Sequence, residues 1–258
     1  MQIRAGPGYR RQTRARARAT LFPYRYGLSL SFAAHLFKAV AKQHHREQLP
    51  ILRPLIPRTG VVVDVGGHAG QYAKLFARLA PQGHVYTFEP GAYPLAILRA
   101  AVRLNRLCNI TIVPQGLGAA PGAARLKSPV KHHRTLGFGL AHLGPDHGGR
   151  ELHEEEIVLT TLDAFVAARG LERLDFLKAD VEGWELRVLT GAEATLRRFR
   201  PPLLLELYDQ LLARAGDDLA SAWTFLGGLG YRPHSEAASD RLAPIDAPRE
   251  GDIWWLPS

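Results

Sequence analysis

The chain has a single cysteine, Cys108, so it cannot form an intrachain disulfide. No apolar run approaches the roughly 18–20 residues that cross a bilayer, and no short basic stretch leads into an apolar segment and a small-residue cleavage site. These absences point to a soluble protein of a reducing compartment, and the expected location is the cytoplasm. Acidic residues are missing from the start: residues 1–46 carry ten of the 33 Lys and Arg and no Asp or Glu. The remaining 212 residues hold 23 basic and 24 acidic side chains, so the formal charge of +9 belongs to the N-terminal segment. No aromatic N/D-P-P-[YFW] segment is present, the pattern that holds an extruded amino group for methylation.

The stretch RRQTRARARAT reads as a solvated, disordered arm over residues 1–27. Such an arm could meet RNA, DNA or anionic lipid by counterion release, could be a transit peptide, or could have no specific partner. Residues 28–59 read as a helix with an apolar stripe at Leu28, Phe32, Leu36 and Val40, followed by the Pro-rich linker LPILRPLIPRTG. The stripe suits a helix capping the domain that fills residues 60–258 better than it suits a membrane-surface anchor.

The densest signal is VVVDVGGHAGQY at 61–72, with HVYTFEP at 84–90. A β-branched run ends in Asp64 and a glycine turn, a helix follows, and the next strand ends in Glu89. This is a nucleotide-cofactor cradle: small residues admit the ligand to the backbone, and an acid ending the second strand can grip ribose hydroxyls. The dinucleotide fingerprint G-x-G-x-x-G is not met, because His68 stands where its second glycine belongs. A carboxylate just before the turn repels a pyrophosphate but suits a cofactor with a cationic amino-acid tail, such as S-adenosylmethionine. A nicotinamide-dependent oxidoreductase is therefore the weaker alternative.

Strand-like runs at 61–65, 84–89, 110–114, 174–179, 202–207, 230–234 and 252–256 alternate with helical segments at 70–80, 92–106, 184–198 and 217–228. The alternation predicts an α/β fold with a parallel sheet covered on both faces, broken only at the end, where two strands follow without a helix. Between strand-like ARLK and EIVLTTL lies the Gly- and His-rich stretch 128–150. A loop of that length is usually functional or disordered. In such sheets ligands gather beyond the carboxyl ends of strands, and Asp64, Glu89, Asp180 and Glu206 all fall there.

The segment LDFLKADVEGWELRVLTGA at 174–192 completes a pattern. Together with VVVDVGGHAGQY, VYTFEP, NITIVPQGLG, LTTLDAF and RPPLLLEL it resembles the FkbM-type methyltransferases over about residues 60–208. The resemblance implies a Rossmann-like class I methyltransferase fold, with a seven-stranded, mostly parallel sheet and an antiparallel C-terminal hairpin. It implies S-adenosylmethionine as cofactor and methyl transfer to a hydroxyl of a sugar, a glycan or lipid-linked acceptor, or a secondary metabolite. By position, Asp64, Gly66 and Gly70 would hold the methionine part, within a wall that includes Gly67, His68 and Tyr72. Glu89, beside Pro90, would take the ribose, and Gln115, Gly116 and Leu117 would lie near the adenine. Asp180 and Glu182 would face donor and acceptor. His68 departs from the family, where asparagine is usual.

An alcohol acceptor needs a general base. The candidates are Asp180, Glu182 and the loop histidines His132, His133, His142 and His147, with His133 representing the loop. Mg²⁺ held by Asp180 and Glu206 is the alternative means of lowering the acceptor's pKa. The acceptor itself and the oligomeric state are not encoded in these motifs. A nucleic-acid methyltransferase using the basic arm is the remaining alternative.

Overall fold

The computed structural model describes residues 30–131, 135–136, 141–143, 152–238 and 240–258. The chain runs α1 (Leu30–Ala41), α2 (Leu49–Leu55), β1 (Val61–Val65), α3 (Gln71–Leu79), β2 (His84–Phe88), α4 (Ala92–Leu104), β3 (Ile110–Val113), β4 (Gly116–Leu117) and β5 (Gly122–Lys131). It continues through β6 (Thr135–Leu136), β7 (Leu152–Thr160), α5 (Leu162–Arg169), β8 (Phe176–Ala179), α6 (Glu185–Thr190) and α7 (Glu193–Phe199). Last come β9 (Leu203–Leu207), α8 (Asp209–Leu212), α9 (Leu219–Gly228), β10 (Tyr231–Ala238), β11 (Arg241–Pro244) and β12 (Gly251–Pro257). The arm at 1–27 lies outside the described residues.

The main sheet has the order β11-β10-β12-β9-β8-β1-β2-β3. Strands β9, β8, β1, β2 and β3 are parallel. Their valine- and leucine-rich sequences follow from burial on both faces. The last strand, β12, inserts antiparallel between β9 and β10. The expected strand count of seven becomes eight, because part of the polar loop between the terminal strands pairs with the edge of β10 as β11. A smaller sheet, β4-β7-β5-β6, is built from the two strand-like flanks of the Gly- and His-rich stretch. Glu155 on β7 accepts from the Ala92 N–H at 3.1 Å, so this sheet caps the first turn of α4.

Helices cover both faces. One core contains Val63, Val65, Leu177 and Leu205 with residues of α5, α7 and α9. The opposite core contains Val62, Val85, Phe176 and Trp254 with residues of α2 and α3. The segment 184–198 is two helices rather than one. The backbone of Gly118 crosses at Gly191, where a Cβ would stand 2.0 Å from the Gly118 carbonyl oxygen. Asp163 restarts the chain as α7 by accepting from the Ala194 and Thr195 N–H groups at 3.1 and 2.7 Å.

The stretch read as a Pro-rich linker contains α2. Pro50 sits in its first turn, where no N–H is needed, and Ile51 and Leu52 are buried against α3. Helix α1 packs Phe32, Leu36 and Val40 with Tyr93, Ile97 and Ala101. Its terminal carbonyls are satisfied by Lys74 of α3, a buried side chain whose ammonium donates to the Ala39 oxygen and, at 2.7 Å, to the Lys42 oxygen. Burial and the nearby Arg78 pull the Lys74 pKa down to about 8. Lys74→Met should therefore cost about 1–3 kcal/mol, by stranding the two carbonyls, and urea unfolding monitored by far-UV circular dichroism checks this.

Candidate active site

The turn after β1 is locked from two sides. The Gly66 and Gly67 N–H groups donate to the Phe88 carbonyl at 3.0 and 2.9 Å, tying the turn to β2. Gly66 has φ +79°, and a Cβ there would stand 1.9 Å from the Asp180 carbonyl oxygen. A Cβ on Gly67 would stand 2.1 Å from Thr87 Oγ1. Only glycine fits at either position. His68 also has positive φ, 47°, and its N–H donates to Glu89 Oε2 at 2.7 Å. The other oxygen, Oε1, accepts from the Gly91 N–H at 2.8 Å. Glu89 is thus held rigidly at the end of β2, with burial pushing its pKa up to about 7 against the lowering effect of these two backbone donors.

The opposite end of the site is a charged cluster. In the sheet register, Asp64 lies beside Lys178. The Lys178 ammonium donates to Asp180 Oδ2 at 3.1 Å and stands 4.0 Å from Asp64 Oδ1. Lys178 is fully buried; although burial favours the neutral amine, Asp180 and Asp64 outweigh it and raise the pKa. The ammonium also sits 5.0 Å from the centre of the Tyr72 ring. Asp180 is hydrogen-bonded to Glu206 as well. Burial resists ionisation of Asp180, yet Lys178 and this bond hold its pKa low, while Glu206 is pushed up to about 8 by burial and by Asp180. Burial and the neighbouring Asp180 thus favour the protonated form of Glu206.

Glu182 follows in a turn of unusual backbone, with φ +55°, and Gly183 next to it has φ +100°. Glu185 organises this turn by accepting from the Val181 N–H at 2.8 Å. Its role is to brace the turn from within the fold. Burial, then the charge of Asp180, pushes the Glu182 pKa up to about 7.

Gly66, Gly67, His68, Tyr72, Glu89, Pro90, Gly116, Leu117, Asp180 and Glu182 line one open cleft of about 260 Å³. Three anticipated residues are not in its wall. Asp64 is fully buried behind it, accepting from Thr87 Oγ1 at 3.0 Å and supporting Lys178. Gly70 forms the left-handed start of α3, and Gln115 is only half-buried, its N–H turned to the Val113 carbonyl at 2.9 Å. His132, His133 and His147 lie outside the described residues. His142, a candidate base, does line the cleft.

The structure also brings in residues that the motifs do not mark. His45, from the connection between α1 and α2, lines the cleft and stacks on Tyr72 at 4.1 Å and 17°. No sequence signal distinguishes it from other polar linker residues. Leu126, Leu143, Ile157 and Trp184 form an apolar wall contributed largely by the smaller sheet. Alternation in ARLK and EIVLTTL carries a trace of that wall, but not its position over the cleft.

The strand order and the glycine turn backed by an acid at the end of β2 define a Rossmann-like fold, and the family match places it in the class of S-adenosylmethionine-dependent methyltransferases. The family model described as the methyltransferase FkbM domain matches residues 64–233, and the chain belongs to that family. It is 34% identical over 163 residues to the 31-O-demethyl-FK506 methyltransferase FkbM of Streptomyces tacrolimicus, covering 52% of this chain and 59% of that protein. It is 25% identical over 188 residues to Methyltransferase 1 of Beauveria bassiana, covering 68% and 73%. The 2-O-methyltransferase NoeI of Sinorhizobium fredii is 25% identical over 170 residues, covering 60% and 65%. A crystal structure of methyltransferase FkbM from Methylobacillus flagellatus superposes with a TM-score of 0.50 at 15% identity, covering 87% of this chain and 58% of that one.

Glu89→Ala should weaken binding of S-adenosylhomocysteine by about tenfold or more, since it removes an acceptor held by charge-assisted bonds; titration calorimetry measures this. A pH dependence also follows. Glu206 and Glu182 have folded pKa values near 8 and 7, above the ordinary 4.5, so folding takes up protons at these sites. The stability they contribute is complete below pH 4.5 and is lost as pH rises through 7 and then 8. The ligand-free protein should melt at higher temperature at pH 6 than at pH 9, and Glu206→Gln should reduce that difference.

Proposed function

We propose that this protein transfers a methyl group from S-adenosylmethionine to a hydroxyl oxygen of a small-molecule or glycan acceptor, with Glu182 as the general base. The carrying observation is the Glu182 carboxyl on the cleft wall, held by a strained turn and with a pKa of about 7. A base is most effective when its pKa lies near the working pH. Asp180 is less suited, because Lys178 and Glu206 already engage it. Its part is to fix the charge pattern beside Glu182 and to offer a carboxylate to a cationic group in the cleft. The names of two relatives, the 31-O-demethyl-FK506 methyltransferase and the 2-O-methyltransferase, agree with oxygen as the accepting atom. The acceptor class, whether sugar, lipid-linked glycan or secondary metabolite, comes from the family resemblance.

The residues present fit the cofactor. Gly66 and Gly67 leave the backbone bare where any side chain would collide, and Glu89 is positioned with both oxygens anchored but still able to accept further bonds. Bound there, S-adenosylmethionine supplies an electrophilic methyl group for in-line displacement. The protein's contribution is to hold the acceptor oxygen in line with that methyl and to remove its proton as the bond forms. Leu126, Leu143 and Ile157 line the cleft with apolar surface.

A second reading uses a metal. One oxygen each from Asp180, Glu182 and Glu206 lie within 4.8 Å of one another, a set that could hold Mg²⁺ and acidify the acceptor. The Lys178 ammonium at 3.1 Å from Asp180 already balances much of the negative charge there, which favours the acid–base reading.

The test is a radiolabelled methyl-transfer assay over a panel of hydroxyl acceptors, run beside calorimetric titration with S-adenosylhomocysteine and NADH. We expect binding of S-adenosylhomocysteine alone, and a loss of turnover of about 10²–10⁴-fold in Glu182→Gln with the ligand's affinity retained. Full activity of that variant would dismiss Glu182 as base. Loss of activity in excess chelator would favour the metal reading instead.

A further inference from the structure

Charge is segregated along this chain, and the fold turns the segregation into a face. Residues 1–150 contain only four acids, Glu47, Asp64, Glu89 and Asp146, against 22 Lys and Arg. Residues 151–258 reverse the balance, with 20 acidic and 11 basic residues. The near-neutral sum over the catalytic body conceals this division. Helices α1, α3 and α4 lie together: Lys74 of α3 holds the end of α1, Asn105 Nδ2 donates to the Val40 oxygen at 3.4 Å, and Arg78 Nη2 donates to Asn105 Oδ1 at 3.2 Å. Helix α2 shares a core with α3 on the same side of the sheet.

Residues 30–108 contain ten Lys and Arg, of which nine are exposed, Lys74 being the buried one. None of the nine takes part in an ion pair among the described residues, whereas Arg125, Arg173, Arg187 and Arg197, elsewhere in the chain, are all paired. Of the three acids in the same stretch, Asp64 and Glu89 are buried and only Glu47 is exposed. Arg46, Arg53, Arg58 and Arg78 rim a groove whose floor is Leu49, Ile56, Leu75 and Leu79.

The same face presents apolar side chains. Helix α1 carries two stripes: Phe32, Leu36 and Val40 pack inward, and Leu30, Ala33, Phe37 and Ala41 are exposed at helical spacing. Leu30 is 91% and Phe37 68% exposed, and Leu104 at the end of α4 is 60% exposed. These are three of the five large hydrophobic residues exposed among the described residues. Immediately before α1, residues 1–29 add seven arginines and no acid.

We propose that the α1–α4 face is a docking surface for an anionic lipid bilayer. Unpaired cations alone would serve any polyanion, by release of counterions. The aliphatic Leu30 and Leu104 decide the class of partner. Of the three exposed apolar side chains only Phe37 could stack on a nucleic-acid base, whereas all three gain by entering the boundary between headgroups and acyl chains while Lys and Arg meet the anionic headgroups. Docking by this face does not depend on which atom the enzyme methylates, and it would bring the cleft to acceptors carried in a membrane.

The test uses the full chain in co-sedimentation with vesicles of phosphatidylcholine alone and of phosphatidylcholine mixed with phosphatidylglycerol. Binding is expected only to the mixed vesicles and should fall as added salt shortens the screening length to a few ångströms. The charge reversal Arg53→Glu/Arg58→Glu/Arg78→Glu, and separately Phe37→Glu/Leu104→Glu, should each weaken vesicle binding by about tenfold or more. Both should leave the affinity for S-adenosylhomocysteine unchanged, which separates loss of docking from loss of fold. Phe37→Trp, a substitution at an exposed site, should gain a blue-shifted emission on the mixed vesicles. Equal retention on both vesicle types, binding unaffected by these substitutions, no emission shift, or capture by RNA homopolymer with vesicles ignored would each overturn the proposal.

Discussion

The buried ammonium of Lys178 is the interaction on which the site depends. It sits on a central strand, fully enclosed, between a carboxylate of the neighbouring strand that never reaches solvent and one that opens to the cleft. Removing a buried charge from such a set leaves its partners uncompensated, which costs far more than the net worth of the pairing. The triad therefore fixes the relative register of β1 and β8 in chemical as well as hydrogen-bonding terms. It also shapes the titration nearby: Lys178 holds the Asp180 pKa low, while burial and then the charge of Asp180 push Glu206 and Glu182 up.

Around that centre the cleft divides by chemistry. One end is polar and rigid, built from backbone N–H groups and Glu89, and is roofed by apolar residues of the smaller sheet. The other end is acidic, and its outer wall comes from the connection between α1 and α2. That connection is pinned by side chains: the Tyr72 hydroxyl donates to Gln48 Oε1 at 2.9 Å, and Gln48 Nε2 donates to Glu236 Oε1 at 3.0 Å, an oxygen that Trp254 also approaches. A segment preceding the family's matched region thus closes the site against the C-terminal strands.

The motifs were legible where physics is local. Val61–Val65 had to be a buried strand, and the glycines had to be a tight turn, because short-range sterics decide both. Glu89 and Asp180 were placed by strand ends alone. Other features were not legible, each for an identifiable reason. Asp64 looks from its spacing like a ligand-facing acid, but the pleat directs it inward to Lys178. The single helical pattern at 184–198 breaks because a distant residue, Gly118, needs the space at Gly191. The proline-rich stretch before β1 gave no helical signal, yet it folds as α2 because Ile51 and Leu52 find a core to enter.

What the amino-acid sequence determined by itself is the alternation of strands and helices, the glycine turn after β1 and the sign of charge along the chain, all set by neighbours within a few residues of one another. Tertiary structure alone decided which acids have raised pKa values, that His45 and His142 line the cleft and that the exposed cations of four helices share one side of the sheet. Those outcomes depend on desolvation and on contacts between residues far apart in the chain, and no local pattern carries either.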